Sequence, residues 1–274
     1  MPAMMPRPPL LETRALRVRA PRRGWRTAPV ELLRGVDLCV APAGALAVVG
    51  ESGAGKSTLV RALLRLARPS AGQVLIDGQD LAILSPQELR AQRRRIQVVF
   101  QDPLASLNPA LDVLTLVADP LRPHLNSPIT AAMREQVAMQ LAAVGLDSNY
   151  LSRRASELSG GQAQRVAIAR ALIASPDMLV CDEPVSALDL ALRAQVLQLL
   201  MELRRARPLA LLLVTHDLHA ARLLCERMLV LRQGLVVEQG PAAELFARPT
   251  ADYTRSLLDA MLSVDPARAG SGST

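Results

Sequence analysis

Short apolar segments alternate with amphipathic ones along most of the chain. Segments rich in β-branched and aliphatic residues predict nine strands, at residues 16–19, 36–40, 45–49, 73–76, 96–100, 178–181, 209–214, 228–231 and 235–238. Two of these, 178–181 and 209–214, are apolar throughout, which is typical of parallel strands covered on both faces. Leucines at helical spacing predict a helix over residues 56–67, and Ser85 followed three positions later by Glu88 predicts the capped start of another.

Residues 127–174 show helical periodicity without strand segments, so they predict a helical insert in an α/β core. The proline-rich start of the chain and its Gly/Ser-rich end have the composition of unstructured termini. The expected division is a flexible leader at 1–10, a discontinuous α/β core at 11–102 and 175–245, a helical subdomain at 103–174, and a C-terminal extension and tail at 246–274.

The composition is that of a folded globular protein. The 274 residues are 50% hydrophobic and 21% charged, and no apolar stretch is long enough to span a bilayer. The N-terminal residues lack the apolar block of a secretory signal, so we expect a cytoplasmic chain. Cys39, Cys181 and Cys225 are far apart and form no CxxC pair, which argues against a disulfide framework.

The charge balance adds a second set of expectations. A net charge of +7 and a pI near 10.5 suit a nucleic-acid or membrane-surface role, whereas an aromatic content of 2% argues against base-stacking platforms. Lys56 is the only lysine among the 32 basic residues, and all the others are arginine. One position has therefore kept a compact ammonium where the chain elsewhere carries planar guanidinium groups.

A glycine-rich loop connects segment 45–49 to the helix predicted at 56–67. It matches the pattern G-x-x-x-x-G-K-[ST] with the residues Gly50, Glu51, Ser52, Gly53, Ala54, Gly55, Lys56 and Ser57, followed by Thr58. Glycines let backbone N–H groups surround a phosphate chain at a helix N-terminus. We expect Lys56 to reach the β and γ phosphates and the Ser57 hydroxyl to bind Mg²⁺. The alternative is a strand-to-helix turn that is merely rich in small residues.

Two adjacent acids, Asp182 and Glu183, follow the apolar segment 178–181. Ligands of parallel sheets bind beyond the carboxyl ends of the strands, where the phosphate loop also lies. Neighbouring strand residues point to opposite faces, so the two acids should have different roles. We expect Asp182 to accept a hydrogen bond from Mg²⁺-bound water and Glu183 to orient or deprotonate the attacking water. A solvated acidic turn before Pro184 is the alternative.

A second glycine-bearing helix start follows the predicted insert. Ser159, Gly160, Gly161 and Gln162 resemble the signature motif of ABC ATPases, although Ser159 and Gln162 also fit an ordinary capping box. The resemblance covers nearly the whole chain. It implies a P-loop NTPase (RecA-like) α/β core with a mainly parallel sheet, an N-terminal antiparallel β portion and a helical insert, with ATP and Mg²⁺ as ligands.

The resemblance implies roles for four more positions. Gln101 matches the Q-loop glutamine that contacts Mg²⁺, Asp189 lies in a segment similar to the D-loop, and His216 matches the switch histidine that contacts the γ phosphate. Trp25 precedes the loop at a distance that suits the aromatic residue stacked on adenine. Two such cassettes meet head to tail in this family, so the signature residues would bind ATP held by the other chain.

The resemblance also implies partners. Residues 100–109, 246–249 and 253–258 are similar to the ATPases of oligopeptide, dipeptide and nickel importers. The implied assembly is a homo- or heterodimer with a second ABC ATPase, two membrane permease subunits and, indirectly, an extracytoplasmic solute-binding protein. The chain would be a peripheral subunit at the cytoplasmic face of the cell membrane.

Two other functions compete with this interpretation. A soluble ABC ATPase acting on nucleic acid or the ribosome would suit the basic charge, but relatives of that kind carry long heptad-repeat arms or tandem ATPase domains, and this chain shows neither pattern. A degenerate regulatory module would lack a catalytic residue, whereas Lys56, Asp182, Glu183 and His216 are all present. Nucleic acid is therefore not the expected partner.

Overall fold

The computed structural model describes residues 8–20, 30–122 and 127–264. Its strands are β1 (Leu11–Arg19), β2 (Glu31–Val40), β3 (Ala45–Val49), β4 (Ala71–Ile76), β5 (Gln79–Asp80), β6 (Ile96–Val99), β7 (Met178–Asp182), β8 (Ala210–Thr215), β9 (Arg227–Arg232) and β10 (Leu235–Pro241). Its helices are α1 (Lys56–Leu63), α2 (Pro86–Arg95), α3 (Pro103–Ser106), α4 (Val113–Ala118), α5 (Ala131–Ala143), α6 (Gly160–Leu172), α7 (Leu190–Ala206), α8 (Leu218–Leu224), α9 (Ala242–Ala247) and α10 (Asp252–Val264).

The described strands form two sheets. One has the order β10-β9-β3-β8-β7-β6, in which all pairs are parallel except β10 with β9. The other is antiparallel, with the order β2-β1-β4-β5. Every residue of β3, β7 and β8 is buried, as expected for parallel strands covered on both faces. The predicted α/β class, with its mainly parallel sheet and N-terminal antiparallel portion, is confirmed.

The two faces of the parallel sheet bury separate apolar cores. Along β3, Ala45, Ala47 and Val49 face a core shared with helices α4 to α9, whereas Leu46 and Val48 face a core shared with α1 and the antiparallel sheet. This division follows from the twofold side-chain alternation of a strand. The sheet is thus held between a helical layer and a mixed layer, and its carboxyl edge remains open for a site.

The helical layer is built around α6. Nine of its thirteen residues are buried, and α3, α4 and α5 all pack against it. Helices α3 to α6 lie within the segment 103–174, which was expected to form a helical subdomain. Leu10, at the end of the expected leader, is buried, and its carbonyl accepts from Asp77 N at 3.2 Å. Within the described ranges, no helix combines the length and the apolar character needed to cross a membrane.

Some element ends differ from the predicted ones. The predicted strand 16–19 is the second half of β1, because a bulge at Ala15 (φ 45°) shifts the buried positions from odd residues to even ones and breaks the alternation. The helix predicted over 56–67 ends at Leu63, because Arg65 has a φ of 56°. The Arg61 carbonyl then accepts hydrogen bonds from the backbone amides of Leu66 and Ala67. The capping box of Ser85 and Glu88 is present as predicted.

Truncating a buried side chain of β7 should lower stability. Leu179 has 0% exposure, so Leu179→Ala should lower the free energy of unfolding by about 2–5 kcal/mol, through lost burial and a residual cavity. Urea denaturation of the full chain measures it. The control is Ile83→Ala, at a position with 81% exposure, where a change within about 0.5 kcal/mol is expected. Equal effects at the two positions would contradict the central place of β7.

Candidate functional site

The glycine-rich loop leaves the carboxyl end of β3 and enters α1. Residues 182–183 and 215–216 lie at the ends of β7 and β8, and residue 101 follows β6. The carboxyl ends of four parallel strands therefore bring these residues to one edge of the sheet. The loop is tightly packed against its neighbours. A Cβ atom at Gly50 would overlap the Leu231 carbonyl oxygen, and Gly55 has a φ of 108° that side chains rarely adopt. Glycine is therefore required at both positions.

The single lysine is buried inside this loop. Lys56 Nζ donates to Gly50 O at 2.7 Å and to Glu51 O at 3.1 Å, and lies 3.5 Å from Glu183 Oε1. Its side chain is 8% exposed, so the charge is held by oxygens of the loop and of one carboxylate. An ammonium in this position can transfer its hydrogen bonds to a phosphate group that enters the loop.

The carboxylate of Glu183 lies across the site from the loop and contacts several side chains there. Its Oε2 lies 2.8 Å from His216 Nδ1 and accepts from Thr215 Oγ1 at 3.3 Å. The residue has a φ of 52°, a conformation that costs energy in a non-glycine residue, and Glu183 N donates to Val214 O at 2.7 Å. Contacts on both oxygens and on the backbone thus fix the direction of this carboxylate.

Asp182 ends β7 and lines a different recess from Glu183. Burial raises the pKa of Asp182, while a hydrogen bond with the Ser57 hydroxyl and the positive charge of Lys56 act in the opposite direction. Among the described residues, none bonds to its buried Oδ1. Ser57, Gln101 and Asp182 line the same recess, which offers hydroxyl, amide and carboxylate oxygens.

These oxygens fit a hard divalent cation such as Mg²⁺, which prefers oxygen ligands and usually keeps several waters together with substrate phosphates. The free Oδ1 of Asp182 is the observation that supports this fit. No group of three or more His, Cys, Asp or Glu in the described part of the chain could hold a metal ion by itself. The recess is therefore suited to an ion that arrives with a phosphate ligand.

The loop and Glu183 border one open cleft of about 840 Å³. Among its lining residues are Gln101, Lys56, Ser57, Glu183 and His216, so the structure brings these predicted site residues together. Sequence reasoning missed other parts of the site, namely Val30, Leu32 and Gln233 in the lining and Thr215 behind Glu183. Thr215 carries a signal that could have been used, since it is the one polar residue of an apolar strand and precedes His216.

The signature residues lie outside that cleft, as far as its lining is described. Ser159 Oγ caps α6 by accepting from Gln162 N at 3.4 Å, and Gln162 Nε2 donates to Tyr150 Oη at 2.9 Å. Asp189 caps α7 in a similar way, with Leu192 N donating to its Oδ1 at 2.9 Å. One chain therefore presents the loop and the signature at separate places. Trp25 lies outside the described residues.

A phosphate loop on a central parallel strand, with a buried carboxylate and a histidine across it, defines a protein that binds and hydrolyses nucleoside triphosphates. The family described as ABC transporter matches residues 33–186. The chain belongs to the ABC transporter family, as its nucleotide-binding ATPase cassette.

Curated relatives are similar over most of the chain. It is 43% identical over 259 residues to a putative peptide import ATP-binding protein of Brucella ovis, covering 94% of this chain and 80% of that one. It is 42% identical over 245 residues to the oligopeptide transport ATP-binding protein OppF of Escherichia coli, covering 88% and 73%. It is 45% identical over 263 residues to the uncharacterised ABC transporter ATP-binding protein YejF of Escherichia coli, of which it spans half the length.

Solved structures share the fold. The ATP-binding cassette MJ0796, a dimer in a post-hydrolysis state with ADP and phosphate, superposes with a TM-score of 0.75 and 30% identity, covering 85% of this chain and 98% of that one. The structure of cbiO1 from Clostridium perfringens, part of an ABC transporter complex, has a TM-score of 0.76 and 26% identity, covering 96% and 98%.

Removing the buried ammonium should weaken nucleotide binding. Lys56→Ala deletes charge-assisted hydrogen bonds, so we expect the Kd for ATP to rise about 10- to 150-fold, since such a bond contributes about 1.5–3 kcal/mol. Titration of the full chain with a fluorescent ATP analogue measures it. Arg68→Ala, which removes an exposed cation after α1, is the control and should leave Kd unchanged. Normal affinity in Lys56→Ala would refute the role of the loop.

Proposed function

We propose that this chain is the ATP-hydrolysing subunit of a peptide importer. It would work as a peripheral subunit at the cytoplasmic face of the cell membrane, with two permease subunits and, indirectly, an extracytoplasmic solute-binding protein. The names of the Brucella ovis and OppF relatives support peptides as cargo, in preference to nickel. The alternative of a soluble ATPase acting on nucleic acid or the ribosome gains no support from these relatives.

The position of Glu183 carries the proposal of hydrolysis. Its carboxylate lies between the loop lysine and His216 and is turned towards the cleft by contacts on both oxygens. A carboxylate so placed can orient a water molecule towards a γ phosphate held by the loop and accept its proton. Lys56 would stabilise the charge on the phosphates, and His216, with 60% exposure, could donate to the γ phosphate.

Magnesium would support this reaction by neutralising charge on the β and γ phosphates. Ser57, Gln101 and Asp182 are the residues proposed to hold it, because their oxygens share one recess. Gln101 also lines the main cleft, so its side chain would contact a nucleotide bound there. The segment that follows it leads directly into α3 and the helical layer.

The separation of loop and signature supports a two-chain site. We infer that Ser159, Gly160, Gly161 and Gln162 bind the ATP of a partner cassette. This partner is either a second copy of the chain or a related ATPase that carries the complementary loop. The N-terminus of α6 offers backbone amides and a favourable dipole to a phosphate. The dimeric MJ0796 cassette with ADP and phosphate is consistent with this arrangement. Asp189, at the start of α7, would lie beside the same contact.

A groove between α2 and α6 suits a permease segment. It has a volume of about 750 Å³ and an apolar floor that includes Phe100. Four arginines form part of its walls. Arg93 donates to the Leu64 and Arg65 carbonyls, and Arg170 pairs with Asp119 at 3.1 Å.

Two arginines of the groove, Arg90 and Arg94, are exposed and have no ion-pair partner within the described ranges. An amphipathic helix of a permease subunit with acidic side chains would complement this surface, since it could bury its apolar face on the floor and pair its carboxylates with the free guanidinium groups.

Replacing the proposed base should stop hydrolysis without abolishing binding. Glu183→Gln keeps the size of the side chain but cannot accept the proton, so ATP turnover should fall about 10²- to 10⁴-fold while the Kd for ATP changes little. Phosphate release from the full chain measures turnover. Glu202→Gln, at an exposed acid on α7, is the matched control. An unchanged turnover rate in Glu183→Gln would remove this residue from the role of base.

Reversing the free charges of the groove should weaken permease docking. The double variant Arg90→Glu/Arg94→Glu should bind detergent-solubilised permease subunits about tenfold more weakly or worse, because it places like charges opposite each other. Co-purification from native membranes measures it. The charge-matched control Arg68→Glu/Arg205→Glu changes two other exposed arginines and should bind normally. Equal loss in both double variants would indicate a general charge effect.

A further inference from the structure

The C-terminal helix reaches back to the phosphate loop. Glu51 N donates to Tyr253 Oη at 3.3 Å, a contact between residues 202 positions apart. Tyr253 lies in the first turn of α10, outside the α/β sheet and outside the residues to which nucleotide chemistry has been assigned above. The hydrogen bond from Glu51 N therefore connects the loop to a helix outside the sheet.

The contact acts on a peptide unit that already takes part in the site. The carbonyl of Gly50 and the N–H of Glu51 belong to one planar peptide group. Lys56 Nζ donates to the carbonyl at 2.7 Å, and Tyr253 Oη accepts from the N–H on the other side. The orientation of this peptide is thus held from both ends, by the lysine within the loop and by the tyrosine outside it.

Tyr253 is itself held in place by the β9–β10 hairpin. The guanidinium of Arg232 lies 4.6 Å from the centroid of its ring. The Glu238 carboxylate accepts from Thr250 N at 2.9 Å, from Thr250 Oγ1 at 2.8 Å and from Ala251 N at 3.1 Å. The start of α10 is therefore anchored at two points, one on each strand of the hairpin.

The anchor at Glu238 stays ionised at neutral pH. Burial opposes the charge, but the hydroxyls and backbone amides at the start of α10 outweigh it and lower the pKa of Glu238 to about 2. The same hairpin contacts the loop directly, since Gly234 N donates to Ala54 O at 2.8 Å. The hairpin and α10 together hold the loop at Ala54 and at Glu51.

We propose that Tyr253 is a positioning residue of the nucleotide site, which keeps the Gly50–Glu51 peptide in its binding orientation when Lys56 turns to a phosphate. This inference rests on the proposed function. When Lys56 Nζ leaves the Gly50 carbonyl, the peptide loses that hydrogen bond. The hydrogen bond from Glu51 N to Tyr253 Oη then still holds the peptide in place. A loop kept in order before binding has less conformational freedom to lose, so its affinity is higher.

The test is Tyr253→Phe in the full chain, which removes one hydroxyl and keeps the ring on Arg232. We expect the Kd for MgADP, measured by calorimetry, and the KM for ATP to rise about two- to tenfold, the effect of one lost hydrogen bond. The kcat should change less than about twofold, because Tyr253 touches none of the proposed reacting groups. Hydrogen exchange should become faster in the peptide that contains Glu51.

The matched control is Ser256→Ala, which removes a hydroxyl that bonds to Asp252 O within the same helix. Unchanged Kd and KM in Tyr253→Phe, or an equal rise in Ser256→Ala, would overturn the inference. The unaltered chain separates the two proposals. If it binds no nucleotide, the proposed function fails and this inference with it, whereas binding that is insensitive to Tyr253→Phe overturns the inference alone.

Discussion

The whole candidate site depends on burying one ammonium beside one carboxylate. Lys56 is 8% exposed and Glu183 is 7% exposed. Neither charge could be buried alone without a large desolvation penalty. The Gly50 and Glu51 carbonyls and the Thr215 hydroxyl complete their hydrogen bonds. This constraint explains the tight loop and the strained backbone at Glu183, since both residues must approach within ion-pair distance. It also leaves the pair ready to exchange partners when a phosphate arrives.

The same constraint explains why a chain so rich in arginine has lysine at this position. The ammonium of Lys56 meets three oxygens that converge from different directions, those of Gly50, Glu51 and Glu183. A compact group with three rotatable donors can satisfy them, whereas a planar guanidinium presents its donors in a fixed fork. Elsewhere the chain uses that fork where it fits, as when Arg95 binds Asp77 and Asp177 together.

Sequence patterns predicted those parts of the fold in which a single local pattern, such as an apolar run between turns, determines the element. The bounds of β3 were predicted without error because five buried apolar residues lie between clear turns. The first half of β1 was missed because the bulge at Ala15 interrupts the alternation of buried and exposed residues. The loop could be predicted because its residues are contiguous, and the meeting of the loop with Glu183 followed from the shared edge of parallel strands, whereas the place of His216 was implied only by the family resemblance. The contact of Tyr253 with Glu51 joins distant segments through one hydroxyl, and no periodicity or spacing encodes it.

The unequal exposure across the cleft bears on how hydrolysis would be controlled. Glu183 is buried, whereas the His216 side chain that touches it is 60% exposed, so the side of the site at His216 opens to water. Electrostatic interactions there are weakened by solvent and strengthen once water is excluded. The N-terminus of α6 is absent from the described lining of this cleft, and a partner cassette could cover the open side with its own α6. If two chains dock as proposed, the cover would be complete, and turnover would then depend on assembly.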